Sequence, residues 1–301
     1  MTRAELWPEL PYDAWRETRD TLHMELQAIG KIRLALSPPE PQWAHVPLYV
    51  TARGLTTSPV PHPSGAVFDV DVDLLDHRVR VRTGDGRVEE IELRARPVAE
   101  FYADLVGALE RAGVPVELSM LPSEVEDPIP FPEDTTHRSY DAPWVERFHR
   151  ALLSTDAVMK EHRGRFRGKT TPVHFFWGAL DLAVTRFSGR AATPPPGAGE
   201  IYRLGGDAEQ ICGGWWPGSE QFGAPAFFAY AYPKPDGIEN APLRPAAARW
   251  DDALGEFVLP YDAVRAADDP RRTLLEFLES TYDAGAAAAR WDRALVSSAG
   301  S

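Results

Sequence analysis

The sequence has little cysteine, few basic residues for its number of acids, and no long apolar run. Cys212 is the single cysteine among 301 residues, which excludes an intrachain disulfide and a zinc cluster built from cysteines. Acidic residues outnumber basic ones by 45 to 32, so we expect neither a nucleic-acid partner nor an anionic membrane surface, both of which need clustered Lys and Arg. No window approaches about 18 consecutive apolar residues, and residues 1–10 lack the basic-then-apolar pattern of a signal peptide. These absences favour a cytoplasmic protein.

Hydrophobic periodicity predicts helices and strands along the whole chain. Apolar residues at helical spacing follow Asp13, and Gly30 inside that helix indicates close packing or a break. Short runs rich in Val, Phe and Tyr, bounded by Gly and Pro, indicate antiparallel strands. The predicted helices cover 13–36, 98–111, 142–166 and about 270–296; the predicted strands lie in 43–57, 68–83, 88–93, 225–232 and 256–259; residues 200–218 are expected to be irregular. This order predicts the α+β class.

The two halves of the chain carry the same order of parts. Each half has a helix with Gly-Lys near its end or just after it, then a proline, a histidine, a strand, an arginine and a helix that begins with proline. We interpret this as an internal duplication: two tandem pseudo-repeats of helix, antiparallel strands and helix packed around a shared cleft. The repeats cover 1–120 and 140–301 and are joined by a Pro- and acid-rich linker at 121–139. The matched positions are Lys31 with Lys169, His45 with His174, and Arg53 with Arg186. Two unrelated α+β halves are the alternative.

One apolar stretch, Gly168–Arg190, carries more polar residues than a buried segment normally tolerates. Burying a polar group costs free energy unless the group finds a hydrogen-bond partner. We therefore expect this stretch to form the floor or wall of a pocket. Its polar residues are Lys169, His174, Asp181, Arg186, Ser188 and Arg190.

His174 and Asp181 are seven residues apart, so they share a face if 173–184 is a short buried helix but not if it is one strand. We interpret His174 as an acid–base group or a metal ligand; a hydrogen-bonded core histidine is the alternative. Arg186 and Arg190 flank a Ser-Gly turn that suits a carboxylate or a phosphate. Salt bridges to native acids are the alternative for both arginines.

Two further groups of side chains are candidates for ligand contact. On the predicted strand 43–57, His45, Tyr49 and Arg53 share one face. Aromatic residues crowd the second half, where they form core or line an apolar pocket. Those assigned to the pocket are Trp177, Trp216 and Tyr230.

No known catalytic signature is present. The chain lacks a phosphate-binding loop, a dinucleotide glycine pattern, His-Glu-x-x-His and Gly-x-Ser-x-Gly. Ser188 lacks the leading glycine of a nucleophile elbow. Cys212 precedes two glycines, where it is either an exposed thiolate or a buried structural residue. The sequence therefore identifies no reaction.

Several long motifs resemble a bacterial family of about this length, domain-of-unknown-function family 5996. They are Leu-Tyr-Val-Thr-Ala-Arg-Gly-Leu-Thr-Thr-Ser-Pro, Asp-Pro-Ile-Pro-Phe, Gly-Lys-Thr-Thr-Pro-Val-His-Phe-Phe-Trp-Gly, Asp-Leu-Ala-Val-Thr-Arg-Phe-Ser-Gly-Arg and Phe-Ala-Tyr-Ala-Tyr-Pro. The resemblance covers nearly the whole chain but implies no activity. The resemblance implies that relatives carry two further histidines, which with His174 and Glu209 would suit a metal site. Here Pro195 and Ala208 occupy those two positions, which implies a diverged member without a transition metal.

These observations predict a small-molecule pocket built mainly by the second half of the chain. We interpret the protein as a cofactor-independent enzyme acting on an anionic, partly apolar substrate. The alternatives are a non-catalytic ligand-binding or interaction module, and a metal-dependent enzyme. The candidate catalytic residues are His174, Asp181 and Glu209, which are also the ligands in the metal-dependent alternative. The candidate substrate-binding residues are His45, Arg53, Lys169, Trp177, Arg186, Ser188, Arg190, Trp216 and Tyr230. No cofactor is expected, and the sequence does not indicate an oligomeric state.

Overall fold

The computed structural model describes residues 2–220 and 222–295, and its helices and antiparallel strands confirm the predicted α+β class. The helices are α1 (Arg3–Leu6), α2 (Tyr12–Leu36), α3 (Val98–Arg111), α4 (Ala142–Gly164), α5 (Glu200–Gly205), α6 (Tyr261–Arg265) and α7 (Pro270–Ala288). The strands are β1 (Tyr49–Thr51), β2 (Gly54–Thr56), β3 (Val60–Pro61), β4 (Val67–Asp73), β5 (Arg78–Thr83), β6 (Val88–Glu92), β7 (His174–Phe176), β8 (Asp181–Ala191), β9 (Ala208–Trp216), β10 (Ala226–Tyr232), β11 (Arg249–Asp251) and β12 (Glu256–Pro260). The helix predicted over about 270–296 ends at Ala288, and Val296 lies outside the described residues.

The strands form two antiparallel sheets in which neighbours in sequence mostly pair. The first sheet has the order β1-β2-β4-β5-β6, with β3 paired to β4, and the second has the order β11-β12-β10-β9-β8-β7. Such neighbour pairing needs only short connections. The sheets meet where Leu48 and Phe175 exchange backbone hydrogen bonds of 2.9 and 3.0 Å. The start of one sheet therefore lies beside the start of the other.

Alternation of residue types decides which face of each sheet is buried. In β4, Phe68, Val70 and Val72 are buried, whereas Asp69 and Asp71 point outwards. The first sheet thus turns an apolar face towards α2 and α3 and exposes a ladder of acids and arginines. The second sheet packs one face on α4 and α7. Its other face carries the candidate site.

The same order of helix, antiparallel meander and helix recurs in both halves, from α2 to α3 and from α4 to α7. The halves differ because β11 adds a strand to the edge of the second sheet and α5 separates β8 from β9. The duplication stays a prediction, and so do the domain limits drawn from it.

The single strand predicted over 43–57 is wrong. The chain instead forms a 3-10 turn at Pro41–Trp43 and then the short hairpin of β1 and β2. The hydroxyl of Thr51 accepts hydrogen bonds from the backbone N–H groups of Arg53 and Gly54, at 3.3 and 3.1 Å. This local bonding favours a reversal of the chain. His45, Tyr49 and Arg53 consequently do not share one strand face.

Strand β9 occupies residues that were expected to be irregular. Glycine weakens a strand, and the pair Gly213-Gly214 therefore indicated a loop. In the structure a Cβ at Gly214 would overlap the ring of Phe228, and one at Gly213 would press on Leu278. Close approach of side chains on both faces of the sheet, rather than a turn, accounts for the two glycines.

The segment at 121–139, expected to be a linker, packs against the helices. Phe131 and Asp134 are fully buried. The backbone N–H groups of Val98 and Ala99 donate to the carbonyls of His137 and Asp134, both at 3.0 Å. The segment thereby satisfies amides that the start of α3 leaves free. Its first residues continue to the candidate site.

Candidate functional site

The hairpin of β7 and β8 carries His174 and Asp181 to the same face of the second sheet. His174 pairs with Ala183, and Phe176 pairs with Asp181, so the two side chains are diagonal neighbours on adjacent strands. Such neighbours in an antiparallel pair are about 7–8 Å apart. The short helix considered for 173–184 is wrong. The segment forms two paired strands joined by a turn, and this pairing places His174 and Asp181 on the same face.

This face is the floor of a cavity of about 760 Å³, a volume within the range of small-molecule sites. Ala183 keeps the floor low because its side chain is a single methyl group. The walls come from the end of α2 with the 3-10 turn, from the segment at 123–124, and from α5. The aromatic residues that line the cavity include Trp43, Phe176, Trp177, Phe228 and Tyr230, and the acidic ones are Glu124, Asp181 and Glu200.

The turn between β7 and β8 packs directly on α2. His23 Nε2 lies 3.1 and 2.8 Å from the carbonyl oxygens of Trp177 and Gly178. Burial lowers the pKa of His23 to about 3, so its neutral ring donates a single proton to this pair. The indole of Trp177 lies on Gly30, where a Cβ would overlap it, and its Nε1 donates to the Val46 carbonyl at 2.9 Å. The glycine inside α2 therefore marks close packing in an unbroken helix.

Two further buried side chains of α2 hold the segment that carries Glu124. Gln27 accepts from the backbone N–H of Ser123 at 2.7 Å and donates to its carbonyl at 2.8 Å. Lys31 Nζ donates to the Ser123 hydroxyl at 2.8 Å. Residues four apart share a helix face, so His23, Gln27 and Lys31 form one polar stripe. This stripe, which we call the α2 stripe, fixes two walls of the cavity at once.

Asp181 lies on the floor without a basic partner. Burial, with smaller contributions from the charges of Glu124 and Glu256, raises the pKa of Asp181 to about 8. Apart from its own backbone N–H, no residue in the described part of the chain donates to this carboxyl. Burial also raises the pKa of Glu124 at the cavity mouth and brings that of Glu256 to about 7. Near neutral pH Asp181, and Glu256 in part, therefore keep protons that exposed carboxyls would lose.

His174 borders the cavity as a buried histidine with an unsatisfied nitrogen. It is 2% exposed, and its Nε2 has no hydrogen-bond partner within residues 2–220 and 222–295. The rings of Tyr49 and Phe176 meet it edge-on, at centroid distances of 5.7 and 5.4 Å. Burial, followed by the charge of Arg33, lowers the pKa of His174 to about 4. The ring is neutral at pH 7, and leaving its nitrogen unpaired costs folding free energy.

Cys212 stands between Thr185 and Tyr230, its direct neighbours on β8 and β10. Burial raises the pKa of the Cys212 thiol to about 12, although hydrogen bonds with both neighbours act against this rise. The sulfur is thus a thiol at neutral pH, and nucleophilic cysteines need the thiolate. Of the two alternatives for Cys212, the buried structural residue fits the geometry.

Helix α5 and the 3-10 turn cover the mouth of the cavity. Trp43 Nε1 donates to the Ile201 carbonyl at 3.2 Å, and Gln42 Nε2 donates to the Asp207 carboxylate at 2.5 Å. The side chains of Ile201 and Leu204 line the cavity and are also 55% and 44% exposed. The cover is therefore joined to the 3-10 turn by side-chain hydrogen bonds, and its apolar residues have one side in solvent.

Arg186 projects from β8 to the helix-covered face, away from the cavity. Its side chain is fully buried, and its guanidinium lies 5.2 and 4.4 Å from the ring centroids of Phe166 and Tyr282. Glu279 pairs with it at 3.2 Å, and the carbonyl of His162 accepts a further hydrogen bond. This placement matches the salt-bridge alternative for Arg186. The guanidinium is not accessible to an anion in the cavity.

Ser188, Arg190 and Glu209 form a polar cluster on that same face. Arg190 pairs with Glu209 at 2.7 Å, and the Ser188 hydroxyl donates to the Glu209 carboxylate at 3.0 Å. Since alternate strand residues face opposite sides, Glu209 lies across the sheet from Asp181 and His174. The three candidate catalytic residues do not form one site, which removes the metal alternative built from them. Within the residues that the structure describes, no group of three or more His, Cys, Asp or Glu side chains is placed to hold a metal.

The other candidate binding residues divide between the cavity and the surface. His45, Trp177 and Tyr230 line the cavity, and Trp216 stacks on Phe228 beside it with ring centroids 4.8 Å apart. The structure thus brings these aromatic and imidazole groups together with His174 and Asp181.

Lys169 and Arg53 lie elsewhere. Lys169 is exposed after α4. Arg53 is on the outer face of the first sheet, where it pairs with Asp73 at 2.6 Å and with Asp76 at 2.8 Å. Neither lines the cavity.

The lining residues that were not predicted from the sequence include Trp43, Glu124 and Thr185. Trp43 had been assigned to a strand, and Glu124 belongs to a segment whose Pro and acid content indicated a linker. The α2 stripe that positions Glu124 consists of buried polar residues four apart in a long helix. Polar residues four apart in a long helix are a sequence signal for polar contacts along one face of α2.

The geometry defines an α+β protein with a cavity of ligand size between its second sheet and α2. The chain belongs to the family described as "Family of unknown function (DUF5996)", which matches residues 7–298 and confirms the resemblance seen in the motifs. No curated protein and no solved structure gives a significant match. In the described part of the chain, no helix has the length and apolar character needed to cross a membrane.

Proposed function

We propose that the protein binds a small, partly apolar organic molecule in the cavity between the second sheet and α2. The observation that carries the proposal is the unpaired Nε2 of His174 in the wall of a cavity of about 760 Å³. Aromatic surface with a few oriented polar groups is the usual composition of small-molecule sites. A ligand that fills the cavity gives the buried nitrogen the partner that the protein withholds.

A second candidate function is catalysis by proton transfer without a cofactor. Neutral His174 accepts a proton, and the carboxyl of Asp181 donates one at neutral pH, because burial moves their pKa values to about 4 and about 8. A ligand on the floor between them meets both an acid and a base. This proposal is second to binding because it needs a substrate with an acidic and a basic position at the matching spacing.

We also propose that the protein works in the cytoplasm, with a small molecule rather than nucleic acid or membrane as its partner. The single cysteine and the net charge of −13 support this location and this partner class.

The test uses tryptophan fluorescence and NMR with a library of neutral aromatic fragments. Trp43 and Trp177 line the cavity, so we expect a bound fragment to change their emission. Ala183→Leu raises the low floor and should weaken binding at least tenfold. Ala191→Leu is the matched control, because Ala191 is an exposed residue at the end of the same strand.

Equal binding by wild type and Ala183→Leu contradicts the proposal, provided both variants show native circular dichroism. Fragments that bind only outside the cavity, as mapped by NMR shifts, contradict it as well.

A further inference from the structure

We propose that the ligand carries an ammonium or amidinium group, which binds on the cavity floor between Asp181 and Glu124 beside His174. This inference rests on the proposed function and specifies its ligand class. It also differs from the anionic substrate expected from the sequence, because Arg186 and Arg190 lie on the other face of the sheet.

The hydrogen-bonding groups around the cavity favour a ligand that brings donors. The indole donors of the two tryptophans that line the cavity are already used, since Trp43 donates to Ile201 and Trp177 donates to Val46. The acceptors are free: the carboxyl of Asp181 bonds only its own backbone N–H. His174 adds an unpaired nitrogen, an acceptor in the tautomer that carries its proton on Nδ1. A ligand that pairs with both groups when Asp181 is ionised must therefore bring donors, and an ammonium group brings three.

The charged residues around the cavity also favour a cationic ligand. The described residues that line the cavity include three acids and no lysine or arginine. Basic side chains near the cavity are bonded to protein groups: Lys31 bonds Ser123, and Arg33 donates to the carbonyls of His45 and Thr57. Carboxylates removed from water without a counter-ion are unfavourable. A cationic ligand supplies the missing charge.

The cavity also presents aromatic surface to a ligand. The rings of Trp43, Phe176, Trp177 and Phe228 all line the cavity. Aromatic faces attract cations, Trp most strongly. The same rings also accept an apolar body, so an aromatic or alicyclic amine fits both parts of the site.

The test compares three probes of one shape and different charge: 2-phenylethylamine, 2-phenylethanol and 3-phenylpropionate. Isothermal titration calorimetry at pH 8.5 should rank the amine first, about 10- to 100-fold tighter than the alcohol, as one charge-assisted hydrogen bond accounts for. The carboxylate should bind weakest. Asp181→Asn and Glu124→Gln should each reduce the preference for the amine without weakening the alcohol. Glu209→Gln, on the opposite face of the sheet, is the matched control and should keep the preference.

A measurement on the wild type alone guards against variants that fail to fold. Pairing with the amine needs the ionised carboxylate of Asp181, so amine affinity should rise between pH 6 and pH 8.5 while alcohol affinity stays flat. At pH 7 the complex should release protons, seen as a heat that depends on the buffer. The titratable groups that surround Asp181 are Glu124, His174, Glu200, Cys212, Tyr230 and Glu256.

The outcomes separate the two proposals. Alcohol binding in the cavity without a preference for the amine overturns the cationic ligand and leaves the small-molecule site intact. A preference for the carboxylate overturns it in the same way. Failure of all three probes and of the fragment library overturns both proposals.

Discussion

Replacing Asp181 with Asn should stabilise the protein at alkaline pH, an unusual result for a residue in a candidate binding site. In the unfolded chain the carboxyl of Asp181 loses its proton near its ordinary pKa of 3.8. In the folded protein burial raises this pKa to about 8. Between these values the unfolded state binds fewer protons than the folded state. The contribution of Asp181 to stability is therefore present below pH 3.8 and is lost as the pH rises to about 8. Asn carries no charge and avoids that loss.

The size of the effect follows from the two pKa values. Each pKa unit between the folded and unfolded states corresponds to about 1.4 kcal/mol, so the full difference sets an upper limit of about 6 kcal/mol. Asp181 is half-buried and borders a cavity, and this incomplete burial reduces the cost of its charge. We expect about 2–4 kcal/mol of stabilisation at pH 9, falling towards zero at pH 4.

The assay is urea unfolding of wild type and variant across pH 4–9, with the slope m checked for constancy. Glu25 and Glu256 have raised pKa values too, and so the difference between variant and wild type is the informative quantity. Asp71→Asn is the control: Asp71 is on the outer face of the first sheet and pairs with Arg82, so its replacement should not stabilise. A gain for Asp181→Asn that does not change with pH refutes the buried, protonated carboxyl.

Two further predictions concern packing. Arg186→Met should lower the free energy of unfolding by about 3–5 kcal/mol, because Glu279 loses its buried partner, while 2-phenylethylamine affinity stays unchanged; a stable variant with lost affinity contradicts this placement. Gly30→Ala should lower the free energy of unfolding by about 1–3 kcal/mol, because the added Cβ meets Trp177. Gly107→Ala in α3 is the comparison: only the flexible end of Arg111 is near, so this variant should raise the free energy of unfolding by up to about 1 kcal/mol. Equal thermal shifts for the two glycine variants argue against the Trp177 contact.

The elements with strong periodicity could be predicted from the sequence, and those defined by packing could not. Helix α3 has its predicted bounds, because its apolar residues recur at helical spacing and Pro97 fixes the start. Strand β9 could not be predicted because its glycines make room for Phe228 and Leu278, which are distant in sequence. A single sequence does not reveal such contacts.

The candidate site shows the same division. The polar residues of Gly168–Arg190 were expected around a pocket, and His174 and Asp181 do line the cavity. Which of the others face it depends on strand register, and a register shift by one residue exchanges the faces. Arg186 falls on the helix side for this reason. The position of Glu124 depends on bonds from Gln27 to Ser123, which no local pattern encodes.

The α2 stripe links folding to the site. His23, Gln27 and Lys31 are at most 6% exposed, and burying three polar side chains in one helix is unfavourable unless each is bonded. Their partners are the β7–β8 turn and Ser123, the backbone on either side of the floor. Folding of the core therefore sets the floor and two walls before any ligand arrives. Asp181 and His174, which line the cavity and have unpaired polar atoms, are held by these rigid elements, so a ligand meets them already in place. Preorganisation of this kind lowers the entropy cost of binding. The cover of α5, joined to the 3-10 turn by side-chain hydrogen bonds, is the part of the site where movement costs least.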